Sequence, residues 1–216
     1  MIKTAKFIVN PLQENTYLLY DETLECVIID AGFHYRDEKS EIISVITDNR
    51  LKPVKLINTH CHFDHMLGIE FLRKEYQIPF YAHEEDVFLV EQAVEQGEMF
   101  GFNMHPVSFP EHYLTTDEPV RFGKSSLNVF HVPGHSPGHV VFYSSEGNFM
   151  ITGDVLFRGS IGRTDLPGGN YDTLIQGIRG KLFVLPDETR VYPGHGPETT
   201  IGFEKLNNPF FKMDVW

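Results

Sequence analysis

The run Thr59-His60-Cys61-His62-Phe63-Asp64-His65 places four metal-binding side chains within six residues. Imidazole beside carboxylate is a donor set suited to Zn²⁺ and other borderline divalent ions. On an extended segment, side chains two apart share a face, so His60 and His62 point the same way. The same alternation turns Cys61 away from them. Asp64 and His65 fall where the chain should bend into a helix, which aims them at a second point nearby. Three further candidates follow apolar, strand-like runs and sit beside Gly or Pro. They are His135 in Gly134-His135-Ser136-Pro137-Gly138-His139, Asp154 in Thr152-Gly153-Asp154, and His195 in Tyr192-Pro193-Gly194-His195-Gly196. Seven ligands are enough for two ions that share one carboxylate. A lone histidine reads as an ordinary core or surface residue, whereas this spaced set with three matching strand ends reads as a metal centre.

The elements that must carry these residues can be read in order. Ala5–Val9, Thr16–Tyr20 and Cys26–Ile29 are short β-rich runs punctuated by Asn10-Pro11 and Asp21-Glu22, an opening antiparallel meander. Asp30, just beyond it, either holds a loop under the ligand stretch or is a turn carboxylate. Arg36–Arg50 reads as a helix with Ile42, Ile43 and Ile46 on one face. Val54–Ile57 is a buried strand that delivers the His60–His65 stretch at its C-terminal end. A helix through Leu67, Phe71 and Leu72 follows, then a strand at Pro79–Ala82. Glu84, Glu85 and Asp86 suit the N-terminus of the next helix, which runs to Gly97. Gly97–Glu118 fits no regular element; its aromatic and Met residues read as a wall facing a substrate or as a cover over the core. His105 and His112 there lack ligand spacing and read as surface residues. Val120–Phe122, Leu127–Val132, Val140–Tyr143, Asn148–Thr152 and Thr189–Tyr192 form a second strand set. His139 is either structural or a donor to a ligand. Asn170 or Asp172 caps a helix with Leu174, Ile175, Ile178 and Leu182 inside. Two strand-rich halves, each flanked by helices, predict two sheets face to face with helices outside.

Composition narrows the class. A length of 216 residues predicts one domain, 1–216, with a substantial core. The 18 Lys and Arg against 30 Asp and Glu give a formal charge of −12, which disfavours nucleic acid as a partner because phosphates attract basic surfaces. Cys26 and Cys61 make no disulfide framework. Met1-Ile2-Lys3-Thr4-Ala5-Lys6 leads into alternation rather than a signal segment. No apolar run approaches the ~20 residues that span a bilayer. The expectation is a protein of the reducing cytoplasm with no membrane partner.

His-x-His-x-Asp-His followed by separated His, Asp and His resembles the metallo-β-lactamase superfamily, over nearly the whole chain. Within it, Gly153-Asp154-Val155-Leu156-Phe157-Arg158-Gly159-Ser160-Ile161-Gly162-Arg163-Thr164-Asp165 and Pro193-Gly194-His195-Gly196-Pro197 are similar to the short glyoxalase II-like hydrolases. These resemble glyoxalase II without its C-terminal helical domain. The resemblance implies an α/β fold, the four-layer αββα sandwich. It implies one ion on His60, His62 and His135, a second on Asp64, His65 and His195, and Asp154 bridging them. Two Zn²⁺ ions are the first expectation, with Fe and Mn compatible with the donors. A bridging hydroxide would be the nucleophile, with Asp64 as the catalytic residue that orients it. The implied substrate is a small-molecule thioester of the S-(2-hydroxyacyl)glutathione type. Arg163 matches a basic position of glyoxalase II and would clamp a substrate carboxylate, unless it pairs with Asp165. Two tyrosines of the family pattern are replaced here by Asp165 and Pro197. Rival readings are a mononuclear-iron persulfide dioxygenase or a lactonase of the same superfamily, and a non-catalytic metal-binding module.

Overall fold

In the computed structural model, which describes residues 1–212, three strands open the chain as an antiparallel meander. They are β1 (Lys3–Val9), β2 (Glu14–Tyr20) and β3 (Glu25–Ile29). Helix α1 (Arg36–Asp48) begins where Glu38 turns back and accepts hydrogen bonds from the N–H groups of His34 and Tyr35, donors a helix start otherwise leaves unpaired. Strand β4 (Lys52–Ile57) then lies parallel to β3. Helix α2 (Ile69–Tyr76), β5 (Phe80–Ala82), α3 (Val87–Met99) and β6 (His112–Tyr113) complete the first half. The first sheet has six strands in the order β1-β2-β3-β4-β5-β6, parallel from β3 onward.

The second sheet is built from β7 (Val120–Phe122), β8 (Ser125–His131), β9 (Val140–Ser144) and β10 (Phe149–Gly153). A small hairpin, β11 (Leu156–Phe157) with β12 (Ser160–Ile161), leads to helix α4 (Tyr171–Gly177). Asn170 caps α4 by accepting from the Thr173 N–H. A π-helical turn at Ile178–Leu182 extends it. Strands β13 (Arg190–Pro193) and β14 (Thr199–Thr200) and helix α5 (Ile201–Asn207) follow. The strand order is β14-β13-β10-β9-β8-β7.

Strand alternation sorts side chains into layers. Tyr17 and Leu19 of β2, Val27 and Ile29 of β3, Phe142 of β9, and Phe149 and Ile151 of β10 pack together between the sheets. Their neighbours Leu18, Cys26 and Ile28 face the other way, into a layer with Ile42, Ile46 and Leu72 of α1 and α2. On the far side Val141 and Met150 meet Leu174, Ile178 and Ile201. The result is the four-layer αββα sandwich. Each fully buried Leu, Ile or Phe contributes roughly 1.5–3 kcal/mol, so central strands buried on both faces anchor the fold. Among the described residues no helix is long and apolar enough to cross a membrane.

Gly97–Glu118 departs from the expectation of an irregular loop at both ends. Helix α3 continues through Met99, and His112–Tyr113 adds a parallel strand to β5. Between them, Phe102 and Met104 are buried against the helical layer. The segment is therefore both cover and wall, because Met99 and Phe100 face a cleft instead. His105 and His112 are exposed, as their spacing suggests.

Candidate metal centre

β4 ends at Ile57, and the chain runs extended through His60 and His62 before a 3₁₀ turn at Phe63–His65. Cys61 points into the helical core layer, and burial pushes its thiol pKa well up. It is inert. Two asparagines clamp the stretch. The Asn58 Nδ2 donates to the backbone oxygens of His60 and His65 at 3.1 and 3.0 Å. The Asn10 Nδ2 donates to the Asp64 oxygen at 3.2 Å. Asp30 resolves its two readings by accepting from both the N–H and the hydroxyl of Thr59 at 2.7 Å, so it holds the loop.

The other three residues arrive from the second sheet. His135 lies in the turn between β8 and β9, Asp154 follows β10, and His195 follows β13. The structure brings all seven together. The donor atoms of His60, His62 and His135 lie within 4.8 Å of one another, as do those of Asp64, His65 and His195. Asp154 faces both groups. Its Oδ2 is 3.6 Å from the Nε2 of His135 and 3.6 Å from that of His195, and its Oδ1 is 3.6 Å from the His65 Nε2. Gly194 sits so close that a Cβ there would collide with Asp154 Oδ1.

The orientation of each imidazole fits a cation at the centre. The His135 Nδ1 donates to the Arg163 carbonyl at 2.8 Å, and the His195 Nδ1 donates to the Leu12 carbonyl at 3.0 Å. The Nδ1 of His65 faces Asp30 Oδ2 at 3.2 Å. In each case a neutral ring with its proton on Nδ1 would turn a bare Nε2 inward, the arrangement of a ligating histidine. The His60 Nε2 and Asp154 Oδ1 are buried with no hydrogen-bond partner among the described residues, which is costly unless a cation takes them. The donor set fits divalent ions.

The electrostatics agree. Burial, then the neighbouring His135, pushes the His62 pKa down to about 3, and burial lowers His60 well below its ordinary value. Both imidazoles are neutral, with a lone pair to give. Burial alone would lower His65 and His195, but carboxylates outweigh it, Asp64 first for His65 and Asp154 first for His195, and both pKa values rise. The carboxylates thus draw positive charge to this point, and a metal competes for the place the proton holds.

Several residues here carry no ligand spacing. His139 stacks on His60 at 4.6 Å, and its Nε2 accepts from the Asp154 N–H at 3.0 Å, so of its two readings the structural one holds. Glu14, fully buried, has Oε1 3.6 Å from the His65 Nδ1. Asp86 accepts from the Cys61 N–H at 3.1 Å, the Ser136 hydroxyl at 2.8 Å and the Gly138 N–H at 2.6 Å, joining the two ligand loops. The Asn15 Nδ2 donates to the Pro193 and Gly196 carbonyls, and Asn15 N–H to Gly194, fixing the His195 loop to β2. A polar Glu14-Asn15-Thr16 opening an otherwise apolar strand is the signal available for two of them. Asp86 looks like any acid at a helix start.

A cleft of about 600 Å³ opens over the cluster, with His62, Asp64, His135, Asp154 and His195 in its floor. Arg163 lines it too, but its Nε and Nη2 both donate to the Asp165 carboxylate at 2.8 Å. A four-layer sandwich with a three-His triad and an Asp/His/His triad joined by a carboxylate at the sheet ends, beneath an open cleft, defines a metallohydrolase scaffold.

The chain belongs to the metallo-beta-lactamase superfamily, whose family model matches residues 9–195. It is a metal-dependent hydrolase of that superfamily. The probable metallo-hydrolase YqgX of Bacillus subtilis is 37% identical over 210 residues, covering 97% of each chain. The hydroxyacylglutathione hydrolase GloC of Haemophilus influenzae is 37% identical over 204 residues, covering 94% of each. The crystal structure of TTHA1623 in a di-iron-bound form is 39% identical, with a TM-score of 0.86, covering 95% of this chain and 99% of that one.

Proposed function

We propose that this chain hydrolyses small-molecule thioesters with two divalent ions held by the seven residues. His60, His62 and His135 would hold one, Asp64, His65 and His195 the other, and Asp154 both. The observation that carries this reading is the Asp154 carboxylate, which faces both triads at 3.6 Å. A pair of such ions lowers the pKa of water toward ~7 and polarises a carbonyl. Zn²⁺ suits the donors, and the di-iron form of TTHA1623 supports iron as the other candidate.

The chain's own residues orient the reaction. Asp64 Oδ2 sits 3.3 Å from the His195 Nε2 at the cleft floor and would accept a hydrogen bond from the attacking water. Burial would raise its pKa, but His65 and His195 outweigh it and hold it below the usual carboxylate range, so it is an acceptor at neutral pH. The Arg163 and Leu12 carbonyls keep His135 and His195 from turning. Water adds to the acyl carbon, the C–S bond breaks, and the products are carboxylate and thiol. A thiolate is a weak base and leaves without a general acid. The similarity to GloC makes S-D-lactoylglutathione the first substrate to try. The buried, unpaired Cys26 and Cys61 suit a reducing compartment such as the cytoplasm.

The test joins elemental analysis to a thioester panel on Zn- and Fe-loaded protein, with thiol release as the readout. Two metals per chain and turnover are expected. Asp64→Asn should lower kcat by about 10²–10⁴-fold. One iron per chain with O₂ uptake on a glutathione persulfide would replace this reading with the dioxygenase. Lactone opening without thioester cleavage would replace it with the lactonase.

A further inference from the structure

We infer that the substrate carries an apolar group beside its scissile bond and a thiol portion without strong negative charge. This rests on the thioesterase reading and names the substrate class. The cleft wall beyond the ligand floor is made by Leu12, Phe63, Met99, Phe100, Leu166 and Pro167. Three of these leave much apolar surface uncovered: Met99 is 76% exposed, Phe100 57% and Leu12 37%. Exposed apolar surface gathered at one cleft marks a binding wall, unlike single exposed side chains scattered over a surface.

The wall starts at the ligands themselves. Phe63 lies between His62 and Asp64, and its ring stacks on Phe100 at 5.2 Å and 29°. Phe63 also meets Phe102 edge-on at 5.3 Å, and Phe102 is buried. Phe100 is therefore braced on a ring anchored in the core. An acyl carbon placed over the ligand floor would set its substituent against this face.

The charges point the same way. Among the described residues Arg163 is the one Lys or Arg lining the cleft, and its guanidinium is engaged by Asp165 through two nitrogens. Glu95 lines the same cleft with an opposite charge. The thiol portion of a glutathione conjugate, with two carboxylates and one ammonium, is net negative and would meet on this wall one Arg already paired with Asp165. A neutral thiol portion meets no such penalty.

The experiment uses metal-loaded protein and S-acyl-N-acetylcysteamines with acetyl, butanoyl, hexanoyl and octanoyl groups, beside S-D-lactoylglutathione. kcat/KM should rise roughly two- to fourfold per added CH₂ until the wall is covered. Each neutral thioester from butanoyl upward should exceed the glutathione conjugate. Phe100→Ser and Met99→Ser should cut the octanoyl-to-acetyl ratio by about tenfold. A flat chain-length series with efficient S-D-lactoylglutathione cleavage would overturn the inference and leave the thioesterase reading standing. If no thioester turns over, that reading falls, and calorimetric titration with butanoate, hexanoate and octanoate reads the wall separately. A Kd that falls with chain length and loses that trend in Phe100→Ser upholds it. A Kd independent of length overturns it.

Discussion

Asp86 binds no ligand of its own, yet three hydrogen bonds from Cys61, Ser136 and Gly138 end on its carboxylate. Burial raises its pKa, and the same three donors work against that rise. Removing it would leave three donors unpaired in the interior and let the His60–His62 and His135 loops drift apart. Partners that orient ligands without touching the metal typically account for 10–100-fold in affinity. Asp86→Ala should therefore weaken metal binding by about that factor in a chelator-competition titration, with thermal stability falling as well. Asp86→Asn keeps a carbonyl acceptor and should recover part of the affinity. Unchanged affinity in Asp86→Ala would remove Asp86 from the site's support. Four of the seven ligands were legible because they sit in one short pattern whose spacing has a coordination meaning, and the other three because each follows a strand-like run beside Gly or Pro. Asp86 was not, since its partners Cys61, Ser136 and Gly138 are brought near only by tertiary packing, and Glu14 showed only as a polar start to an apolar strand.

At the scale of elements, turns on neighbouring sheets are tied by one carboxylate. Asp21, between β2 and β3, accepts from the N–H and hydroxyl of Thr23 and from the Lys124 N–H and Ser125 hydroxyl, between β7 and β8. Burial would raise its pKa, but these bonds outweigh it and bring it from 3.8 to about 2. A depressed carboxyl stabilises the fold above its unfolded pKa and loses that contribution as pH falls through its folded pKa. Stability should thus decline between about pH 4 and 2, and Asp21→Asn should flatten that decline in urea unfolding followed against pH. An identical slope in both proteins would refute the assignment. Long elements were readable from pattern: the central strands are apolar on both faces, and α1 shows its Ile stripe. The two-residue strands β6, β11, β12 and β14 are too short to carry a period, and their existence depends on a neighbour's edge. Helix α5 is only seven residues long and its cap Thr200 ends the two-residue strand β14, so little sequence pattern announces it.

For the whole molecule, three buried carboxylates, Glu14, Asp30 and Asp64, and the partly buried Asp154 crowd the junction of the two sheets. Divalent ions there offset a repulsion that the folded chain alone must bear. A ligand bound only by the folded state adds about 4 kcal/mol at a thousandfold excess over its Kd. For a domain of this size that corresponds to roughly 10 °C in Tm. Scanning calorimetry before and after dialysis against a strong chelator should show a loss of that order, restored by adding Zn²⁺. A Tm indifferent to chelation would contradict a metal centre at the sheet junction.

The bonds from Asn15 to Pro193, Gly194 and Gly196 span about 180 positions of the chain. A ribosome delivers those positions in order, so β2 must wait, its polar edge unmet, until nearly all the rest has emerged. A nascent chain that stops short of Pro193 can gather His60, His62, His135 and Asp154 but not the His195 side of the site. If two ions are held as proposed, the second triad closes only once His195 is in place, and a product clipped before it should bind less metal.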